Sequence, residues 1–228
     1  MPRSRKVPKP AAVLVNGPDT KPSRASAARL SLYLRCLEGW RREGAETVSS
    51  GRIADALGLS DAQVRKDLAY LGSLGQPGIG YKVPELIAGI RQALGINREW
   101  RAILVGVGNL AKALLRYQGF REQGFQLVAL FDADPSKIGS RLEGLTVQPL
   151  SALADSVKKL KAELALLTVP AEAASEVADQ LRDAGIRGIL NFAPTVLRLP
   201  RKVCLVNVDL AIQLEQLAFQ VQFGGPES

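Results

Sequence analysis

Apolar positions in the first third of the chain recur at helical spacing and are cut off by glycine. Leu30, Leu34 and Leu37 share one face of a helix that the pattern starts at Ser26 and ends near Arg42 and Gly44. Ser49 and Ser50 suit the cap of a second helix over 52–57, broken by Gly58, and Ser60-Asp61-Ala62-Gln63 reads as a capping box opening a third. Helix, short glycine turn, helix is the helix-turn-helix arrangement. The third helix turns Val64, Leu68 and Leu71 inward, leaving Ala62, Lys66, Ala69 and Tyr70 outward with Gln63 and Arg65 on the shoulders. Gly72, Gly75, Gly78 and Gly80 then punctuate a stretch ending at Tyr81-Lys82, which suits a hairpin wing. Pro84 begins a further helix through Leu94, with Gly95 as its C-terminal cap.

Beyond residue 100 the period changes to alternating strand and helix. An apolar run over 102–105 ends in Gly106-Val107-Gly108-Asn109-Leu110-Ala111, a helical pattern of Leu110, Leu114 and Tyr117 follows, and a second apolar run covers 127–131. In that setting Gly106 allows a tight turn, Gly108 lets backbone approach a pyrophosphate, and Ala111 permits close helix packing. The phosphates would meet free amides at a helix N-terminus. Asp132 closes the second strand, where a carboxylate bonds a ribose diol and repels a 2'-phosphate, so NAD and NADH are favoured over their phosphorylated forms. Strands over 164–169, 189–192 and 203–208 and a helix over 172–184 continue the alternation toward a doubly wound parallel sheet. Val169-Pro170 and Asn191-Phe192-Ala193-Pro194 follow strand ends, where they either line a nicotinamide pocket or supply prolines that simply stop strands. The last helix, 209–223, carries Leu210, Leu214, Leu217 and Val221 on one face with Phe219 and Phe223 nearby, apolar surface that needs its own sheet or a second subunit.

The expected fold is α/β: a disordered basic tail (1–25), an N-terminal winged helix-turn-helix domain (26–95), a Rossmann-type doubly wound parallel sheet (96–208) and a C-terminal dimerisation helix (209–223). With 228 residues, 46% hydrophobic and 23% charged, the chain can bury two modest cores. Charge separates the halves: residues 1–100 hold 16 Lys or Arg against 9 Asp or Glu, whereas 101–228 hold 14 against 13. The polyanion-binding half is therefore the first. Six of its basic residues and five of the chain's thirteen prolines fall within residues 1–24. On the third helix, alanines permit approach to a major-groove floor while Gln63, Arg65 and Lys66 can meet base edges or phosphates. Ser60, Gln63, Arg65, Lys66, Tyr70, Tyr81 and Lys82 form the candidate double-stranded DNA face, against the plainer reading of a helical interaction domain with a solvated basic surface. Cys36 and Cys204 lie in apolar patterns and read as buried free thiols, with no metal pairing. No run is long enough for a signal-peptide core or a membrane span, and the expected location is the cytoplasm.

The segments Ser31-Leu32-Tyr33-Leu34-Arg35, Gln63-Val64-Arg65-Lys66-Asp67-Leu68, Gly78-Ile79-Gly80-Tyr81, Gly106 to Ala111, Thr168-Val169-Pro170, Asn191-Phe192-Ala193-Pro194 and Asn207-Val208-Asp209 together resemble the Rex family of bacterial redox-sensing transcriptional repressors. The resemblance spans residues 26–223. It implies a homodimer whose winged helices bind an operator and whose dinucleotide domains, joined through an exchanged C-terminal helix, take up NADH and release the DNA. NAD would compete without the same release. Residue by residue, Tyr117 matches the family's nicotinamide-sensing tyrosine, while Asp209 and Arg35 match the acid and base of its state-dependent polar contacts. Leu210 departs from members that place an aromatic ring after this acid.

Two other readings stay open from the residues alone. An NAD-dependent dehydrogenase shares the dinucleotide fold. Against it, the chain has no histidine, and none of Tyr33, Tyr70, Tyr81 or Tyr117 is followed by lysine at the fourth position. No catalytic residue is assigned, and the expectation is a protein without enzymatic activity. A coenzyme A-binding module shares the glycine turn, but Asp132 favours a ribose diol.

Overall fold

The computed structural model describes residues 21–76 and 78–224, so the disordered-tail expectation for residues 1–20 lies outside the described residues. The chain divides into two compact units, Met1–Arg98 and Glu99–Ser228.

In the first unit, α1 (Arg24–Arg42) starts two residues before Ser26, because Ser23 accepts the Ser26 amide and caps it there. After β1 (Thr47–Val48), Ser49 caps α2 (Ser50–Leu57), which Gly58 ends at φ 63°. Ser60 caps α3 (Asp61–Leu68), and a 3-10 turn, Ala69–Leu71, prolongs it. The wing is β2 (Gly75–Gln76) and β3 (Gly80–Lys82), followed by α4 (Val83–Ala93) with Pro84 in its first turn. The strands form an antiparallel sheet in the order β1-β3-β2. β1 was not foreseen; its two residues are too few to show alternation. It packs closely: at φ +92°, Gly80 would carry a Cβ 2.5 Å from the Val48 carbonyl oxygen. Leu30, Tyr33, Leu34 and Leu37 of α1, Ile53 of α2, Val64 and Leu68 of α3 and Leu86 and Ile90 of α4 make the core.

The second unit runs β4 (Trp100–Val105), α5 (Asn109–Arg116), α6 (Gln118–Glu122), β5 (Phe125–Asp132), β6 (Arg141–Leu142), β7 (Leu145–Pro149), α7 (Leu153–Leu160), β8 (Leu164–Leu167), α8 (Ala171–Asp183), β9 (Gly188–Asn191), β10 (Cys204–Asn207) and α9 (Leu210–Phe223). Its sheet order is β10-β9-β8-β4-β5-β7-β6, parallel except for the β6–β7 hairpin. Alternate residues of β4 serve opposite faces: Ile103 and Val105 pack with α7 and α8, Ala102 and Leu104 with Ala111 of α5 and Phe120 of α6. That is the doubly wound sheet. The winding reverses between β4 and β8, opening a crevice at their carboxyl ends. Residues 141–160, which hold β6, β7 and α7, carried no strong periodic signal.

Other expectations also shift in the structure. Tyr117 is not a helical residue; its ψ of 103° ends α5 and starts the separate short helix α6. Asp209 is the N-cap of α9, as its residue type suggests, so the helix starts one residue later than the expected 209–223. Cys204 is exposed and Cys36 half-buried, not both buried. β10 is the outermost strand, and with Leu205 packed on the α7–α8 side, Cys204 and Val206 point to the opposite face, where both stay exposed. Among the described residues no helix is long and apolar enough to cross a membrane, and none group as metal ligands.

Candidate functional site

Two surfaces carry chemistry, one in each unit. On the first, the exposed side of α3 presents Ala62, Arg65, Lys66 and Ala69, with Gln63 and Tyr70 half-buried at its margins. Arg65 pairs with Asp61 at 2.8 Å one turn earlier, and Lys82 pairs with Glu85 at 3.1 Å; both pairs are exposed and weak in water. Between α3, the start of α2 and the wing lies an open groove of about 460 Å³, lined by Ser49, Ser50, Arg65, Gln76 and Tyr81 among others. Tyr81 stands against Gly75, where a Cβ would come within 2.9 Å of its ring, and burial pushes its phenol pKa up. It braces the wing as well as lining the groove.

The capping box expected at Ser60 closes on one side only. Ser60 Oγ accepts the Gln63 amide at 3.2 Å, but the Gln63 side chain does not return to the cap. Its Nε2 donates instead to Asp67 Oδ1 at 3.2 Å. Asp67 is 1% exposed and is the charged residue that sequence reasoning missed. Arg29 holds it bidentately from α1, Nε to Oδ2 at 2.6 Å and Nη2 to Oδ1 at 2.8 Å, and Tyr33 OH donates to Oδ2 at 2.9 Å. Burial pushes the Asp67 carboxyl up, but its bonds from Arg29, Tyr33 and Ser26 outweigh that and hold it below the usual range. Burial and the neighbouring carboxylate raise the Tyr33 phenol to about 12. The signal was available in the sequence: Asp67 sits on the same inward arc as Val64, Leu68 and Leu71, where an acid needs partners.

The second surface is the crevice at the β4–β8 reversal. Gly106 has φ +94°, and a Cβ there would lie 2.8 Å from the Thr168 carbonyl and from Val169. Thr168 Oγ1, 2.7 Å from the Gly106 carbonyl oxygen and 3.1 Å from that of Val105, ties the loops after β4 and β8 together. A Cβ at Gly108 would meet nothing within 4 Å, Ala111 is fully buried under the turn, and Asn109 and Leu110 are exposed. No side chain caps the first turn of α5, so its amides remain for an anion. Asp132 Oδ2 accepts the buried Val107 amide at 2.6 Å and Lys137 Nζ at 3.1 Å; Oδ1 accepts the Asp134 amide at 2.8 Å. Burial pushes the Asp132 carboxyl up, yet the Asp134 and Val107 amides and the Lys137 ammonium hold it below its ordinary value. Two carboxylate oxygens offer about four acceptor positions, so one further hydroxyl can be bound. Asp134 also lies 3.7 Å from Lys137, leaving the rim net negative and unsuited to a 2'-phosphate. The turn therefore fits a dinucleotide with a free adenosine ribose.

At the neighbouring strand ends Val169 is half-buried, Pro170 exposed and Phe192 half-buried. Phe192 is placed by Asn191, which the sequence offered as part of a pocket-lining segment and which here serves to hold the loop. Asn191 is 1% exposed, donates to the Asn207 side chain at 3.0 Å and to the Ala193 carbonyl at 3.2 Å, and accepts the Ala193 amide at 3.0 Å. Tyr117 is 55% exposed, edge-on to Phe120 at 5.1 Å, and a Cβ at Gly119 would come 2.5 Å from its ring. Asp209 Oδ1 accepts the amides of Ala211 at 2.9 Å and Ile212 at 3.3 Å. Arg35 is an exposed residue of α1. α9 buries none of its side chains on its own chain: Leu214 is 67% exposed and Phe219 64%.

Comparison with known proteins bears on both surfaces. A family model described as a CoA binding domain matches residues 97–195, and one described as a putative DNA-binding protein N-terminus matches residues 22–69. The chain is 48% identical over 197 residues to the redox-sensing transcriptional repressor Rex of Desulfitobacterium hafniense, covering 86% of this chain and 94% of that one. Its structure is similar to the crystal structure of RSP in complex with beta-NAD+ and operator DNA, with TM-score 0.84 and 31% identity over 92% of this chain and all of that one. It is likewise similar to RSP in complex with beta-NADH, with TM-score 0.79 and 31% identity over 89% of this chain and 95% of that one.

Proposed function

The chain belongs to the Rex family of redox-sensing transcriptional repressors, and on that footing we propose how its residues read an operator and sense the NADH/NAD balance. The protein is a repressor, not an enzyme, and works as a homodimer on double-stranded operator DNA. Its regulatory ligands are NADH and NAD. Transcription rises when NADH releases the repressor. A soluble repressor of this kind works where the DNA is, in the cytoplasm.

The observation that carries the sensing reading is the turn at Gly106, pinned to Thr168 and backed by Asp132. Gly106, Val107, Gly108, Asn109, Leu110 and Ala111 supply the tight turn, the open backbone and the uncapped amides that hold a pyrophosphate. Asp132 holds the adenosine ribose. Val169, Pro170, Phe192 and Tyr117 line the nicotinamide end. The reduced nicotinamide of NADH is uncharged where that of NAD is cationic. Burying the ring against these largely apolar side chains costs less for the uncharged form. On the other unit Arg65, Lys66 and Lys82 meet phosphates or base edges, Gln63 and Tyr70 stand at the recognition face, and Ser60 and Tyr81 set the start of α3 and the wing.

Coupling requires that the ligand favour one arrangement of the dimer over the other; tight binding alone shifts nothing. We assign that coupling to Tyr117, Asp209 and Arg35, with α9 joining the two subunits. Tyr117 is exposed on a bend that Gly119 keeps open, and Asp209 sits at the base of the unpartnered helix. The test is Tyr117→Ala, with NADH affinity and operator release measured separately. NADH should still bind, while the NADH concentration needed for release rises about tenfold or more. Equal loss of binding and of release would make Tyr117 a ligand contact and nothing more.

A further inference from the structure

We propose that Asp67 is a positioning residue for operator recognition: buried beneath α3, it fixes which end of the Gln63 amide faces the DNA. The inference rests on the operator-binding reading of α3 and goes beyond it. Asp67 gathers donors from two helices, among them both arms of the Arg29 fork, the Tyr33 hydroxyl, and Gln63 Nε2 at 3.2 Å one turn away on α3. An ionised carboxylate only accepts. The nitrogen of the Gln63 amide must therefore be the atom turned to Asp67, and the oxygen is left for the exposed side. Free glutamine presents donor and acceptor interchangeably, whereas this one is held with Oε1 outward. An outward acceptor suits the exocyclic amino group of adenine or cytosine and rejects a carbonyl at the same place.

Arg29 and Tyr33 give the arrangement its rigidity. They stand one turn apart on α1, so the carboxylate that orients Gln63 is itself tied to the core of the unit. A residue that only anchored α3 would need the α1 bonds. The bond to Gln63 reaches the recognition surface and adds nothing to that anchorage.

The test uses the full chain and a palindromic duplex selected by the native protein from randomised DNA, with a scrambled duplex of equal length and salt as reference. The readout is the ratio of the two affinities, in which phosphate attraction cancels to first order. Asp67→Asn should lower that ratio about tenfold while NADH affinity stays unchanged. Gln63→Glu should lower it in the native background, where two carboxylates would face each other, and much less in the Asp67→Asn background, where an asparagine amide can donate to the new acid. Losses that multiply independently would overturn the proposal. Tyr33→Phe, which removes one donor and keeps the ring in the core, should lower the ratio in the same direction if Asp67→Asn fails to fold; an unchanged ratio would count against it.

A nitrogen-15 spectrum supplies a readout independent of DNA. The Gln63 side-chain amide should show one shifted, exchange-protected proton that disappears in Asp67→Asn, and two solvent-like protons in the native chain would overturn the proposal. A native chain that shows the protected proton but does not discriminate between duplexes would overturn the operator reading together with it.

Discussion

The amide of Val107 donates to Asp132 Oδ2 at 2.6 Å, so one carboxylate both shapes the glycine turn and offers the ribose its acceptor. The bond joins the second residue beyond β4 to the last residue of β5, across neighbouring strands. Removing it leaves the buried Val107 amide without its partner, a cost beyond the lost ribose contact. Asp132→Ala should weaken NADH binding by about tenfold or more in a fluorescence titration. Unchanged affinity would remove Asp132 from the ribose site.

Gly106 allows a second test of the same turn. At φ +94° and with Thr168 backbone 2.8 Å from where a Cβ would sit, alanine has neither the conformation nor the space. Gly106→Ala should lower stability by about 1–3 kcal/mol and move the loops after β4 and β8 apart. Calorimetry with NADH should show lost binding in the protein that remains folded.

Lys66 is exposed on α3 and belongs to the phosphate-facing group. Lys66→Ala should weaken operator binding and reduce the salt dependence by about one counterion per subunit, with NADH affinity unchanged. An unaltered salt slope would take this lysine out of the interface.

The carboxyls of Asp67 and Asp132 both lie below their ordinary value, since burial raises each but hydrogen bonds and neighbouring cations lower it further. A depressed folded pKa gives stability that is fully present above the unfolded value of about 3.9 and disappears as pH falls through the folded value. Urea midpoints should therefore hold from pH 7 to about 5 and drop below about 4. Asp67→Asn should start lower at neutral pH and fall less steeply in acid; a parallel curve would show that Asp67 does not contribute to the acid transition.

α9 presents apolar side chains around much of its surface, with Ile212, Leu217 and Phe223 exposed along with Leu214 and Phe219. On the proposed function, a second subunit covers them. Leu214→Glu combined with Leu217→Glu should yield monomers in sedimentation and lower operator affinity at least about tenfold, because each head then reads a half-site alone. A dimer that survives both charges would place the interface elsewhere.

Much of this was legible in residue order. Ser49, Gly58 and Ser60 marked the helix-turn-helix because caps and left-handed glycines act locally, and the glycine turn with its acid marked the dinucleotide crevice for the same reason. What stayed hidden depends on partners distant in sequence. β1 exists because Val48 pairs with Tyr81, and the hub at Asp67 because α1 brings Arg29 to it across 38 residues. Tyr117 continued the helical pattern of Leu110 and Leu114, but the chain bends there to enter α6, and apolar spacing cannot report a bend. Asn191 looked like a strand residue; its four hydrogen bonds to the loop beyond it and to β10 appear only once the sheet is assembled.

On the proposed function NADH, and not NAD, drives this repressor from its operator. The most direct measurement is fluorescence anisotropy of a labelled palindromic operator bound by the full chain at fixed salt, titrated separately with NADH and NAD, with scrambled DNA as control. Release by NADH at concentrations where NAD leaves the complex intact is the predicted result. Specific operator binding that responds equally to both nucleotides, or to neither, would contradict it.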